Sequence, residues 1–113
     1  MPGFVDPRRV VSRLKSLALK LAKRRPEVEE VRLFGSFATG EAGARSDADL
    51  LIVLSQDKRR MMERLDEFIL AFAEAPVPVD VLVYTREELA RASAQGNRFL
   101  LKAAAGPRLF RRA

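Results

Sequence analysis

The chain has 113 residues, enough for one domain spanning residues 1–113 that buries roughly two-thirds of its unfolded surface. It has no cysteine and no histidine, which excludes a disulfide framework, thiolate metal sites, imidazole bases and Ser-His-Asp or zinc–imidazole chemistry. The 21 basic residues, 16 of them arginine, outnumber 15 acidic ones to give a net charge of +6, a balance that attracts phosphate or an acidic partner. Any metal is left to oxygen ligands, which favours magnesium or manganese. No run approaches the roughly 20 apolar residues of a membrane span, and no secretory pattern opens the chain, so the expected setting is cytoplasmic, away from membranes.

Asp6 and Pro7 predict a helix cap followed by proline at the first helical position. Val10, Val11, Leu14, Leu17, Ala18 and Leu21 recur at helical spacing and form one apolar face. Lys23, Arg24 and Arg25 suit a helix end, and Pro26 stops the helix. Val31 and Leu33 alternate with Arg32 as a short strand. Gly35 permits a sharp turn, Ser36 is expected to cap a short helix running to about Gly40, and Glu41 to Arg45 reads as a loop. Ala48 to Leu54 is a strand, expected to be central because it is apolar on both faces.

A helix is predicted from about Asp57 to Ala75, burying Met61, Met62, Leu65, Phe68, Ile69 and Phe72 before Pro76 and Pro78 break the pattern. Val79 to Tyr84 is the third strand. Thr85-Arg86-Glu87-Glu88 matches a capping box and predicts a helix start. Gly96 interrupts that helix, and Asn97 caps another through about Ala105. Gly106-Pro107 ends it, leaving Arg108 to Phe110 as an edge strand. The order α-β-α-β-α-β-α-α-β describes an α/β (α+β) fold with a small mixed sheet and helices packed on it.

The chemistry concentrates between Leu33 and Asp49. Backbone N–H groups after Gly35 lack intrahelical partners and are suited to phosphate oxygens, and the Ser36 hydroxyl adds a donor. Gly35 and Gly40 have the glycine spacing of a P-loop, but Glu41-Ala42 stands where Lys-Ser/Thr is required, so a P-loop is rejected. On a strand, Asp47 and Asp49 would share one side, about 6–7 Å apart along the chain. Carboxylates so placed can grip magnesium, and two ions can activate an attacking hydroxyl while binding the leaving group. Asp80 opens a later strand and offers a third carboxylate, as a metal ligand or as acceptor of the hydroxyl proton. Arg45 and Ser46 are candidate phosphate contacts. Tyr84 is expected at the core margin rather than stacked on a base.

Gly35, Ser36, Asp47, Asp49 and Asp80, with Gly40, Ser46 and the Leu50–Leu54 strand, resemble the short members of the DNA polymerase beta-like nucleotidyltransferase superfamily called minimal nucleotidyltransferases. The resemblance implies the nucleotidyltransferase fold, ATP as substrate, and magnesium or manganese held by Asp47, Asp49 and Asp80. Gly35, Ser36 and Ser46 would contact the nucleotide. Phe37 stands where many such sequences carry a basic residue, and the larger members' helical acceptor-binding domain has no counterpart in these 113 residues. A homodimer or partner subunit is therefore implied. Minimal nucleotidyltransferases commonly occur beside a helical HEPN-domain toxin, and their antitoxin can transfer adenylyl groups to a tyrosine near the toxin's ribonuclease site. Two other readings stay open: a non-catalytic antitoxin that inhibits its partner by binding, and an aminoglycoside-type transferase acting on a small molecule. Direct nucleic-acid binding is not expected, because basic residues are scattered and stacking aromatics are few.

Overall fold

Residues 6–43 and 46–113 are described by a computed structural model. Asp6 caps α1 (Pro7–Arg24), its Oδ1 accepting the Arg8 N–H at 2.9 Å. The apolar stripe of α1 lies buried against the sheet through Val10, Leu14, Leu17, Ala18 and Leu21. β1 (Val28–Phe34) is longer than the three residues expected, because its acidic stretch is neutralised. Glu30, only 7% exposed, is paired with Arg32, Arg86 and Arg108. The helix α2 (Ser36–Thr39) follows at once, and β2 (Ala48–Leu54) returns antiparallel to β1.

The next helix differs from expectation in extent and in the face it buries. α3 (Met61–Leu70) starts four residues after Asp57, which instead accepts the Arg59 N–H at 2.9 Å and that arginine's guanidinium. At its end the ladder tightens into i to i−3 bonds, Phe72 N–H to Ile69 O and Ala73 N–H to Leu70 O, both 3.1 Å, and continues as turns. Phe68 and Phe72 are buried as expected, but Met62 is 77% exposed and Ile69 is 44% exposed. Their inward place is taken by Arg64, 1% exposed, whose guanidinium grips Glu88 at 2.7 and 3.1 Å. Period alone could not rank an arginine above a methionine for burial; the counter-ion across the interface decides it.

β3 (Val79–Thr85) pairs parallel with β2. The capping box opens α4 (Arg86–Ala94): Thr85 Oγ1 accepts the Glu88 N–H at 3.1 Å, and Glu88 Oε1 accepts the Thr85 N–H at 2.9 Å. Asn97 caps α5 (Arg98–Ala104) by accepting the Leu100 N–H at 3.1 Å. β4 (Arg108–Arg111) pairs antiparallel with β1 at the sheet edge.

The four strands lie in the order β3-β2-β1-β4. β2 is interior and apolar on both faces, as expected. Leu50, Ile52 and Leu54 meet the core beneath α1 and α3, while Leu51 and Val53 meet Leu89, Leu100 and Ala103 of α4 and α5. Each buried leucine contributes about 2–3 kcal/mol of transfer free energy, so β2 is anchored from two sides. Tyr84 packs half-buried at the margin of the second core, as expected. Among the described residues no helix is long and apolar enough to cross a membrane.

Candidate active site

Strand register builds the site. Phe34 of β1 is the partner of Asp49 on β2, and Asp49 is the partner of Asp80 on β3. Partners in register project to one face of the sheet, and adjacent strands lie about 4.7–4.9 Å apart. Phe34, Asp49 and Asp80 therefore form a row at one end of the face that carries α4 and α5. The next row inward is Arg32, Leu51 and Leu82, which begins the apolar floor of the second core.

The three acids differ in setting. Asp49 is half-buried, while Asp47 and Asp80 are exposed. Burial foremost, then the Asp80 charge and then the Asp47 charge, raises the Asp49 carboxyl above its ordinary pKa of 3.8. Asp47 lies one residue before β2, outside the ladder, so the strand alternation that would align it with Asp49 does not apply. Among the described residues no group of three or more acidic side chains is gathered closely enough to hold a metal ion. The donor set still suits a hard divalent cation: like charges press on a partly desolvated carboxylate, an imbalance a divalent cation reverses.

Gly35 presses against this group. Its φ of 74° and ψ of −155° fall where glycine alone is at ease. A Cβ there would overlap Asp49 Oδ2 and stand 3.2 Å from Cγ. The bare backbone of the turn thus faces the half-buried carboxylate of Asp49. Gly35, rather than Ser36 as expected, is the N-cap of α2, and no side chain caps it. The first bonds closing the turn are Ala38 N–H to Gly35 O at 3.0 Å and Thr39 N–H to Gly35 O at 3.2 Å, which leaves the Ser36 and Phe37 N–H groups ahead of the ladder.

Two adjoining hollows share this corner. One, of about 490 Å³, is lined by Phe34, Gly35, Asp49, Phe99, Lys102 and Ala103. The other, of about 450 Å³, includes Asp49 and Asp80 with Leu65, Ile69 and Leu82 in a more apolar wall. Phe34 and Phe99 line both, their rings edge to face with centroids 5.7 Å apart. Gly35, Asp49 and Asp80 are thus brought together, with Asp47 in electrostatic reach. Ser46 is turned to a loop role: its hydroxyl accepts the Gly43 N–H at 2.8 Å. Arg45 lies outside the described residues. The sequence reading missed Phe34, Phe99 and Lys102; the i, i+3 spacing of Phe99 and Lys102 on a short helix was the available signal.

Residues 14–103 match the nucleotidyltransferase domain family. The chain belongs to this family. The nucleotidyltransferase fold is also that of a crystal structure of a candidate nucleotidyltransferase from Sulfolobus solfataricus, with a TM-score of 0.70 and 22% identity over 94% of this chain and 84% of that one. A crystal structure of a toxin–antitoxin with AMP-PNP is similar at a TM-score of 0.52 and 21% identity, over 87% of this chain and 73% of that one. Among curated proteins none matches. The expected mixed α/β architecture and the order of its elements along the chain hold.

Proposed function

We propose that this nucleotidyltransferase moves a nucleoside monophosphate, AMP from ATP, to a hydroxyl of a partner protein. The observation that carries the reading is the Asp49–Asp80 register pair set against the bare Gly35 backbone. Asp47, Asp49 and Asp80 would hold magnesium or manganese, which when bound offsets phosphate charge and eases departure of pyrophosphate. Gly35 and Ser36 bind phosphate oxygens through backbone N–H groups and the Ser36 hydroxyl, with Ser46 at the loop margin. Asp80, exposed on an edge strand, takes the proton of the acceptor hydroxyl. The hydroxyl oxygen bonds to the α-phosphorus as the bond to the bridging oxygen of pyrophosphate breaks. Phe34, Phe99 and the apolar wall beside Asp80 limit water at that point, favouring transfer over hydrolysis.

The likeness to a toxin–antitoxin structure supports a toxin as partner, and the minimal-nucleotidyltransferase resemblance points to a helical HEPN ribonuclease modified on tyrosine. The added nucleotide would bring bulk and negative charge to a surface that must bind RNA. A homodimer or a hetero-oligomer with that toxin supplies acceptor recognition. The test is to incubate the chain with the protein encoded by the adjacent reading frame, magnesium and ATP labelled on its α-phosphate. Label should reach the partner and disappear with Asp47→Asn and Asp49→Asn. No transfer from any of the four nucleoside triphosphates would overturn the reading. That no three acidic side chains among the described residues gather closely enough to hold a metal ion favours a second reading, inhibition by binding alone. In that case both asparagine variants would neutralise the toxin undiminished.

A further inference from the structure

Among the described residues one cation lines the hollow beside Gly35, Lys102, and the adjoining hollow that reaches Asp80 has no basic residue in its wall. We propose that Lys102 binds the phosphate chain of the nucleotide, its ammonium facing the oxygens that Gly35 and Ser36 cradle from the opposite side. This rests on the nucleotidyltransferase reading above and adds a binding residue from a helix to which the sequence assigned no chemistry.

Packing fixes the helix that carries Lys102, whose own side chain is exposed. On α5, Phe99, Lys102 and Ala103 fall at i, i+3 and i+4 and present one face to the hollow. Leu100 and Ala103, 2% and 1% exposed, anchor the helix in the second core. Asn97 fixes its start. Its end is tied to the strand that leads into Gly35: the Leu33 N–H donates to Pro107 O at 2.9 Å. Gly106 passes so near that a Cβ would overlap Leu33 O and stand 3.1 Å from its carbonyl carbon. Leu33 lies two positions before Gly35, so the clamp ties α5 to the strand that enters the phosphate turn.

Charge gives this placement its purpose. Arg25, Arg59, Arg64 and Arg86 are occupied by carboxylates elsewhere in the fold, and no ion pair among the described residues engages Lys102. A triphosphate brought to Asp47, Asp49 and Asp80 adds a polyanion to three acids, and even two divalent cations leave the assembly negative. A compact ammonium with three donors on the far side of the phosphates meets that deficit.

The experiment is calorimetric titration of the whole chain, in magnesium, with a non-hydrolysable ATP analogue and separately with inorganic tripolyphosphate. Lys102→Met should weaken both ligands about tenfold and flatten the salt dependence of binding, the loss of one charge-assisted contact. Lys102→Arg should restore most of the affinity, and Lys58→Met should bind as wild type. Urea midpoints of all variants distinguish a lost contact from a lost fold. Wild-type affinity in Lys102→Met, or an equal loss in Lys102→Arg at unchanged midpoint, overturns the assignment while leaving the transferase reading standing. If the wild-type chain binds neither ligand, both fall.

Discussion

Replacing Gly35 by alanine tests the geometry on which the site depends. Two costs are added. The first is backbone strain, since φ 74° with ψ −155° is accessible essentially to glycine only, a cost of about 1–3 kcal/mol. The second is steric: the new methyl would overlap Asp49 Oδ2, so the carboxylate must leave its rotamer at about 1 kcal/mol. Together the loss is about 2–4 kcal/mol, or about 8–16 °C in Tm for a domain of this size. Gly40→Ala is the control, because Gly40 has φ 79° and ψ 10° with nothing within 4 Å of an added Cβ. It should lose only about 1–2 kcal/mol. Urea unfolding followed by circular dichroism measures both. In an Asp49→Ala background the steric share vanishes and the strain remains, so the double-mutant cycle should show coupling of about 1 kcal/mol. A Gly35→Ala variant no less stable than Gly40→Ala, or a cycle with no coupling, refutes the close approach of turn and carboxylate.

Asp49→Asn should stabilise the free protein at neutral pH while abolishing transfer. Because the folded state holds the Asp49 proton to higher pH than the unfolded chain, this residue's contribution falls as pH rises through 3.8 and on through the raised folded value. Urea midpoints against pH should therefore be flatter across that range in the variant. Asp57 carries the opposite sign: its bonds to Arg59 lower its pKa from 3.8 to about 2, so its contribution is complete above pH 3.8 and lost as pH falls towards 2. Asp57→Asn should remove about 2 kcal/mol of stability at pH 7 and leave a smaller acid transition over that window. Glu88→Ala strands the buried Arg64 guanidinium and opens the α4 capping box. A loss of about 3–5 kcal/mol in urea unfolding is expected, with Glu88→Gln retaining part of it.

Much of this architecture was legible because local signals agreed with one another. Asp6, Thr85 and Asn97 cap the helices they were expected to cap, and the two-sided apolar run from Ala48 to Leu54 became the interior strand. Long-range partners were not legible. The inward turn of Arg64 depends on Glu88, 24 residues later, and the full length of β1 depends on arginines 32, 86 and 108 gathering around Glu30. At the site, Gly35, Asp49 and Asp80 were marked by residue type and strand position. That Asp80 stands beside Asp49 in register and that Asp47 falls just outside the ladder are facts of tertiary packing with no local trace, and the spacing of Phe99 and Lys102 could mark a helix face but not the hollow that it lines.

The interior position of β2 has a mechanical consequence for the acids. Asp49 is rooted in the strand sandwiched by both cores, Asp80 in a strand with one open edge, and Asp47 in the approach to the ladder. The trio is therefore graded in stiffness, a fixed post with two more pliant arms. Amide exchange should be slowest at Leu50 and Leu51 and quicken towards Asp47 and Asp80, so in the proposed metal site Asp49 would be the fixed anchor and the other two acids the ones that adjust.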